Sequence, residues 1–129
     1  NEVRPVMIHA AKYGSLERFF GILIEHFAGA FPLWISPVQV VILPVSDKFT
    51  KYALKLSEYL IKNDIRVQLD SRNETLGYRI REAQINKIPY MVIVGEKEQS
   101  ENTLSVRSRE GKEIKDLTSE EFIKIIKLL

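Results

Sequence analysis

An open α/β sheet, mostly parallel, with helices on both faces and one antiparallel strand, is the fold class that this sequence predicts. Three observations predict it. Residues 38–43, Val-Gln-Val-Val-Ile-Leu, form a near-continuous apolar run of the kind found in parallel strands buried on both faces. The order strand, helix, strand follows from that run and then recurs further along the chain. Residues 103–109 alternate apolar and polar side chains, as a strand does when one face is packed and the other is not.

Taken in order, residues 3–10 read as an apolar strand that carries His9. The Gly14-Ser15 corner leads into an amphipathic helix over residues 15–27. Ser15 is its N-cap, Leu16, Phe19, Phe20, Leu23 and Phe27 lie along one side, and Glu17 and Arg18 stand in its first turn. A phosphate could sit at such a corner, near helix-start amides and a guanidinium, but the segment supplies no floor for the pocket. Gly29, Pro32, Trp34 and Pro37 then stop the helix and mark a junction, with the boundary between two structural units near Ser36 and Trp34 packed at it. After the apolar run, Pro44 ends the strand and Asp47 opens a helix over residues 48–62, with Tyr52, Leu56, Tyr59 and Leu60 at helical spacing. Asn63-Asp64 is a turn, and Ile65, Val67 and Leu69 alternate as a strand. A helix over 76–87, an apolar strand over 90–94, a polar loop over 95–102, the strand over 103–109 and a helix over about 119–128, capped by Thr118 or Ser119, complete the chain. About five strands result.

Composition narrows the function. With 129 residues, 45% hydrophobic and 28% charged, the chain suits one soluble domain plus a short appendage, and no apolar stretch approaches the roughly 20 residues that span a bilayer. Nothing resembles a signal peptide. Absence of cysteine removes disulfides and thiolate metal sites and fits a reducing cytosol. Net charge is +2, and in residues 1–35 Arg4, Lys12 and Arg18 balance Glu2, Glu17 and Glu25, so the excess lies in 36–129. That is too little for a purely electrostatic nucleic-acid binder. Gly-x-Gly-x-x-Gly and Walker patterns are missing, so mononucleotide binding has no motif behind it. In sheets of this class ligands bind at strand ends and loops, which directs attention to residues 70–81 and 95–109.

Three stretches carry a family resemblance: residues 9–20 with Gly-Ser-Leu-Glu-Arg, residues 31–41 (Phe-Pro-Leu-Trp-Ile-Ser-Pro-Val-Gln-Val-Val), and residues 70–95 with Arg-Asn-Glu-Thr-Leu-Gly-Tyr-Arg-Ile-Arg-Glu and Ile-Pro-Tyr-Met-Val-Ile-Val-Gly. Together they resemble the carboxyl-terminal part of threonyl-tRNA synthetases, which are class II aminoacyl-tRNA synthetases. The resemblance covers nearly the whole chain. It implies that residues 1–35 are the last strand and helix of a catalytic domain, with the third class II motif, and that residues 36–129 are an anticodon-binding domain.

The resemblance also implies roles. Asn73, Arg81, Glu98 and Arg107 match positions that the family uses to read anticodon bases, and unstacked bases are told apart by edge hydrogen bonds that arginine, asparagine and glutamate can make. Tyr78 is an additional candidate, as a stacking platform, and Arg109 another, because it shares a strand face with Arg107. Arg18 matches the arginine that contacts ATP phosphates, and His9 matches one of three zinc ligands. A catalytic zinc needs about three protein ligands, which this chain cannot supply, so both roles belong to the full-length protein. Ala10, Lys12 and Tyr13 depart from the family pattern around that pocket. Each residue also has a plainer role open to it. His9 suits a hydrogen-bonded core position, Arg18 a surface pair with Glu17, Asn73 a turn, Arg79 and Arg81 solvated helix positions, Glu98 a surface carboxylate, and Tyr52, Tyr59 and Tyr90 core or boundary packing. The implied whole is a cytoplasmic threonine-tRNA ligase, a homodimer through its catalytic domain, that uses threonine, ATP, magnesium and zinc and holds threonine tRNA by its anticodon. This chain alone would need no cofactor, contact no membrane and catalyse nothing. The alternatives are an α/β interaction or regulatory module without RNA, and a synthetase-like accessory subunit that has lost aminoacylation.

Overall fold

The computed structural model describes residues 3–5 and 16–128. The expected cap Ser15, the expected zinc ligand His9 and most of the expected strand over residues 3–10 lie outside the described residues. Helix α1 (Leu16–Phe27) comes first, then a 3-10 turn (Leu33–Ile35), strand β1 (Val40–Pro44), a second 3-10 turn (Asp47–Phe49) and helix α2 (Thr50–Lys62). Strand β2 (Val67–Leu69), helix α3 (Leu76–Ile85), strand β3 (Tyr90–Val94), helix α4 (Glu96–Glu101), strands β4 (Leu104–Ser108) and β5 (Glu113–Leu117) and helix α5 (Ser119–Lys127) follow.

The five strands form one sheet in the order β2-β1-β3-β4-β5. β1 pairs in parallel with both β2 and β3, β4 runs antiparallel to β3, and β5 runs antiparallel to β4, so β4 alone points the other way. β1 is an interior strand, paired on both sides and covered on both faces, which explains its apolar run: all five of its residues are buried. Alternate residues of that run serve two cores. Val40 and Ile42, with Val92, Val94, Leu104 and Val106, pack against Leu56 and Leu60 of α2 and Phe122 and Ile126 of α5. On the other face Val41, Leu43 and Met91 pack against Ala83 and Ile80 of α3.

Two elements differ from the sequence expectation. The polar loop expected over 95–102 contains α4. Its six residues, Glu-Lys-Glu-Gln-Ser-Glu, have no apolar face to reveal a helix, and the helix is fixed by its ends. The Glu98 carboxylate accepts from the Gly95 amide at 2.9 Å at the start, and Asn102 in the left-handed conformation (φ 56°) stops it. β5 was not expected at all. It is an exposed edge strand whose side chains are mostly polar, and only its pairing with β4 defines it.

Around the junction, side chains of the α/β unit grip the incoming backbone. Arg66 Nε and Nη2 donate to the carbonyls of Ser36 (2.8 Å) and Trp34 (2.9 Å), and Gln39 Nε2 donates to the carbonyl of Leu33 (2.9 Å). The Trp34 side chain, expected to pack there, is instead 72% exposed, because the junction is secured through its carbonyl and not its ring. On α1, Leu16, Phe20, Ile22 and Ile24 are exposed, and Lys87 donates from Nζ to the Ala28 carbonyl at the helix end.

Candidate nucleic-acid interface

α3 covers only part of its face of the sheet. Among the described residues, β3, β4 and β5 leave an open half beyond it. The reason is the alternation in β4: Leu104 and Val106 are spent on the core beneath α2 and α5, so Ser105 and Arg107 emerge on the opposite face. The same alternation brings out Ile93 from β3 and Glu113 and Lys115 from β5. With Lys97 and Glu98 of α4 at the rim, they line a hollow of about 350 Å³. Two of the residues expected to read anticodon bases, Glu98 and Arg107, are thus brought together.

Their surroundings are specific. The Ser105 hydroxyl donates to Glu98 Oε1 at 2.7 Å while the Gly95 amide holds Oε2. Burial pushes the Glu98 carboxyl upward, but the Ser105 hydroxyl and the amides of Glu98 and Gly95 outweigh it, with Lys97 adding to them, and leave it below the ordinary carboxylate value. Arg107 Nη1 lies 3.7 Å from Glu113 Oε1, and its Nε is buried with no hydrogen-bond partner among the described residues. Lys97 pairs with Asp116 at 2.9 Å. Positive and negative groups are balanced in this hollow. It therefore suits a ligand read by directed donors and acceptors more than one held by net charge.

Asn73 stands elsewhere, at the carboxyl ends of β1 and β2, beside a second hollow of about 220 Å³ between residues 44–47 and 71–74. Its loop is braced by Asp70, whose carboxylate accepts from Arg72 Nε and Nη2, both at 2.9 Å, and Arg72 continues to Glu82 on α3. The Arg72 hydrogen bond, opposed by burial, holds the Asp70 carboxyl below its ordinary value of 3.8. A carboxyl depressed on folding contributes stability that is complete above its unfolded pKa and is lost as pH falls through the folded one. Replacing Arg72 by glutamine should therefore reduce stability at neutral pH and flatten its decline below about pH 4, as read by urea unfolding at a series of pH values. An unchanged acid limb would show that the pair is not formed in solution.

Tyr78 and Arg81 are both exposed on α3, three residues apart on its outward side. Tyr78 lies in the first turn of the helix, its amide donating to the capping hydroxyl of Thr75 at 3.3 Å. On the helical wheel Arg81 lies on the flank away from Glu82, which pairs with Arg72, and it lines neither hollow. Arg109 does not join Arg107 as its strand spacing suggested. β4 ends at Ser108, the Arg109 amide donates to the Pro89 carbonyl at 3.0 Å, and Nη1 donates to the Lys87 carbonyl at 3.4 Å, in a different hollow. Arg18 is exposed on the first turn of α1.

Arg79 is the residue that sequence reasoning missed. It is buried, not solvated, and its Nη1 and Nη2 donate to the carbonyls of Asp70 (2.9 Å) and Pro44 (2.8 Å). It thereby ties together the exits of β1 and β2 that flank Asn73. The signal was available: Leu76, Arg79, Ile80 and Ala83 share one helical face, which places the guanidinium toward the sheet.

A five-stranded mixed sheet with two cores and a charge-balanced hollow over one face defines an α/β domain of the mixed-sheet class. The chain belongs to the anticodon-binding domain family, whose profile, described as "Anticodon binding domain", matches residues 39–129. It is similar to the threonine–tRNA ligase of Thermotoga neapolitana, with 62% identity over 126 residues that make up 98% of this chain and 20% of the relative. It is also similar to the threonine–tRNA ligase of Clostridioides difficile, with 58% identity over 93% of this chain and 19% of that protein. The chain spans about a fifth of the length of these curated relatives. Among solved structures, the RNA-binding domain of threonyl-tRNA synthetase from Cryptosporidium parvum superposes with a TM-score of 0.84 and 30% identity, over 90% of this chain and 29% of that one. No helix among the described residues is long and apolar enough to cross a membrane.

Proposed function

We propose that this chain is the anticodon-reading carboxyl-terminal region of a threonine-tRNA ligase, an enzyme that activates threonine with ATP and transfers it to threonine tRNA. The observation that carries this is the meeting of Glu98 and Arg107 in one hollow, within a domain that belongs to the anticodon-binding family. A fixed carboxylate accepts from base N–H groups, and a guanidinium with a spare donor serves base oxygens and ring nitrogens. Arg81 and Tyr78 on α3 and Asn73 at the strand ends offer contacts to neighbouring nucleotides, and Arg109 one to the backbone.

Residues 1–35 are assigned to the end of the catalytic domain, with Arg18 at the ATP phosphates, where a guanidinium and the magnesium that accompanies ATP would stabilise departing pyrophosphate. A zinc role for His9 belongs only to the whole protein. This chain has no cysteine, and no group of three His, Cys, Asp or Glu side chains among the described residues could hold a metal. The whole enzyme is proposed to be a cytoplasmic homodimer.

Binding to a threonine-type anticodon stem-loop, and to one with its central guanosine replaced, tests the proposal at a stated moderate salt. The wild type should lose about 1–3 kcal/mol on the base change, and Arg107→Ala should erase most of that difference. Equal, salt-sensitive binding to both would leave charge attraction alone and reject sequence reading.

A further inference from the structure

We propose that Ser105 is a positioning residue that sets base specificity in the hollow by holding the Glu98 carboxylate in register with Arg107. The inference rests on the anticodon reading above and extends it to a residue that contacts no base in that scheme.

Glu98 is clamped at both oxygens, by the Ser105 hydroxyl at 2.7 Å and by the Gly95 amide at 2.9 Å. The two clamps are not equivalent. The Gly95 amide belongs to the start of α4 itself and would accompany any glutamate at that helical position. The space there is tight: a Cβ on Gly95 would stand 3.2 Å from Glu98 Oε2 and 3.3 Å from Val45 Cγ2. Ser105 comes from a different element. It lies on β4 two residues before Arg107 and on the same face, so one strand carries both the group that orients the carboxylate and a guanidinium that lines the same hollow. Without the hydroxyl, Oε1 would be free to rotate about the helix anchor, and its alignment with Arg107 would be lost.

Alignment matters because the two side chains offer complementary chemistry. The outward lone pairs of a fixed carboxylate can accept two adjacent N–H donors, an edge that guanine presents and adenine does not. Arg107 meanwhile has a buried Nε without a partner among the described residues and is only loosely engaged by Glu113, at 3.7 Å. The charged and titratable groups that face Glu98 are Tyr52 from α2, Lys97 from α4, Arg107 from β4, and Glu113, Lys115 and Asp116 from β5. Lys97 is engaged by Asp116, and among the described residues the Ser105 hydroxyl is the side-chain donor placed directly on the carboxylate.

The test uses Ser105→Ala, Ser105→Thr and Glu98→Gln in the whole protein, with anticodon stem-loops that carry guanosine or adenosine at the central position, and a 13C titration of the Glu98 carboxyl. Ser105→Ala should bind the adenosine stem-loop within about twofold of wild type yet lose about fivefold or more of the preference for guanosine, and its Glu98 should titrate at higher pH than in the wild type. Ser105→Thr keeps the hydroxyl and should restore both readouts. Glu98→Gln should lose the preference outright. If Ser105→Ala retains full preference although the carboxyl titration moves, the specificity role is overturned; if the titration does not move, the clamp itself is. A wild type that binds both stem-loops equally overturns the anticodon reading and the specificity role with it, while the carboxyl titration still decides whether the clamp exists.

Discussion

Replacing Phe122 by alanine should cost this domain about 3–5 kcal/mol, measured by urea or thermal unfolding. Phe122 is among the largest fully buried side chains, and it joins α5 to the sheet beneath Val92, Val94, Leu104 and Val106. Its ring stands edge-on to Tyr90 of β3, with centroids 6.0 Å apart and planes at 84°, so truncation removes an aromatic contact as well as opening a cavity. α5 cannot close the gap by shifting freely, because its start is fixed by a reciprocal cap in which Thr118 accepts from the Glu121 amide and Glu121 accepts from the Thr118 amide. A domain of this size is stabilised by about 5–15 kcal/mol, so the variant would sit near the edge of folding. A loss below about 1 kcal/mol would mean that α5 does not pack in solution as described.

The second large effect is expected at Arg79. Arg79→Met keeps the aliphatic stem but leaves the carbonyls of Asp70 and Pro44 buried without donors, at about 1–3 kcal/mol each. A loss of about 2–5 kcal/mol follows, and Arg79→Lys should not restore it, since one ammonium cannot reproduce the rigid fork that reaches two carbonyls on different segments. Arg81→Met, two residues along the same helix but exposed, should change stability by no more than about 0.5 kcal/mol. Reversed behaviour of the two arginines in the same urea titration would overturn the assigned orientation of α3. Since Arg79 joins the segments that flank Asn73, the RNA binding proposed for that loop should weaken as well in the folded fraction.

Legibility in the sequence followed the amount of apolar pattern each element carries. β1, β3, α2 and α5 announced themselves because their apolar residues repeat at strand or helix spacing. α4 and β5 did not, since one has no apolar residue and the other is an exposed edge, and both exist through end-fixing or pairing with distant residues. Glu98 and Arg107 were picked out by resemblance, and chemistry made them plausible as base readers. Their meeting in one hollow depends on β3 and β4 pairing antiparallel, with Ile93 opposite Ser105 and Met91 opposite Arg107, which local pattern does not encode. Arg109 illustrates the opposite outcome: strand spacing placed it beside Arg107, but the strand ends one residue earlier and its guanidinium turns to the Lys87 carbonyl.

By itself the sequence determined the class of sheet, the order of its main elements, the apolar residues of both cores and the family signal, because burial periodicity and short-range turn chemistry are local properties of the chain. Tertiary structure decided the rest. It made Arg79 a buried tie and Arg81 an exposed neighbour, gave Glu98 its second clamp from Ser105, exposed Trp34, and, among the described residues, left half of one sheet face open beside α3. Each of these depends on which residues from distant segments come to lie side by side, and that is fixed only when the strands pair and the helices settle on them.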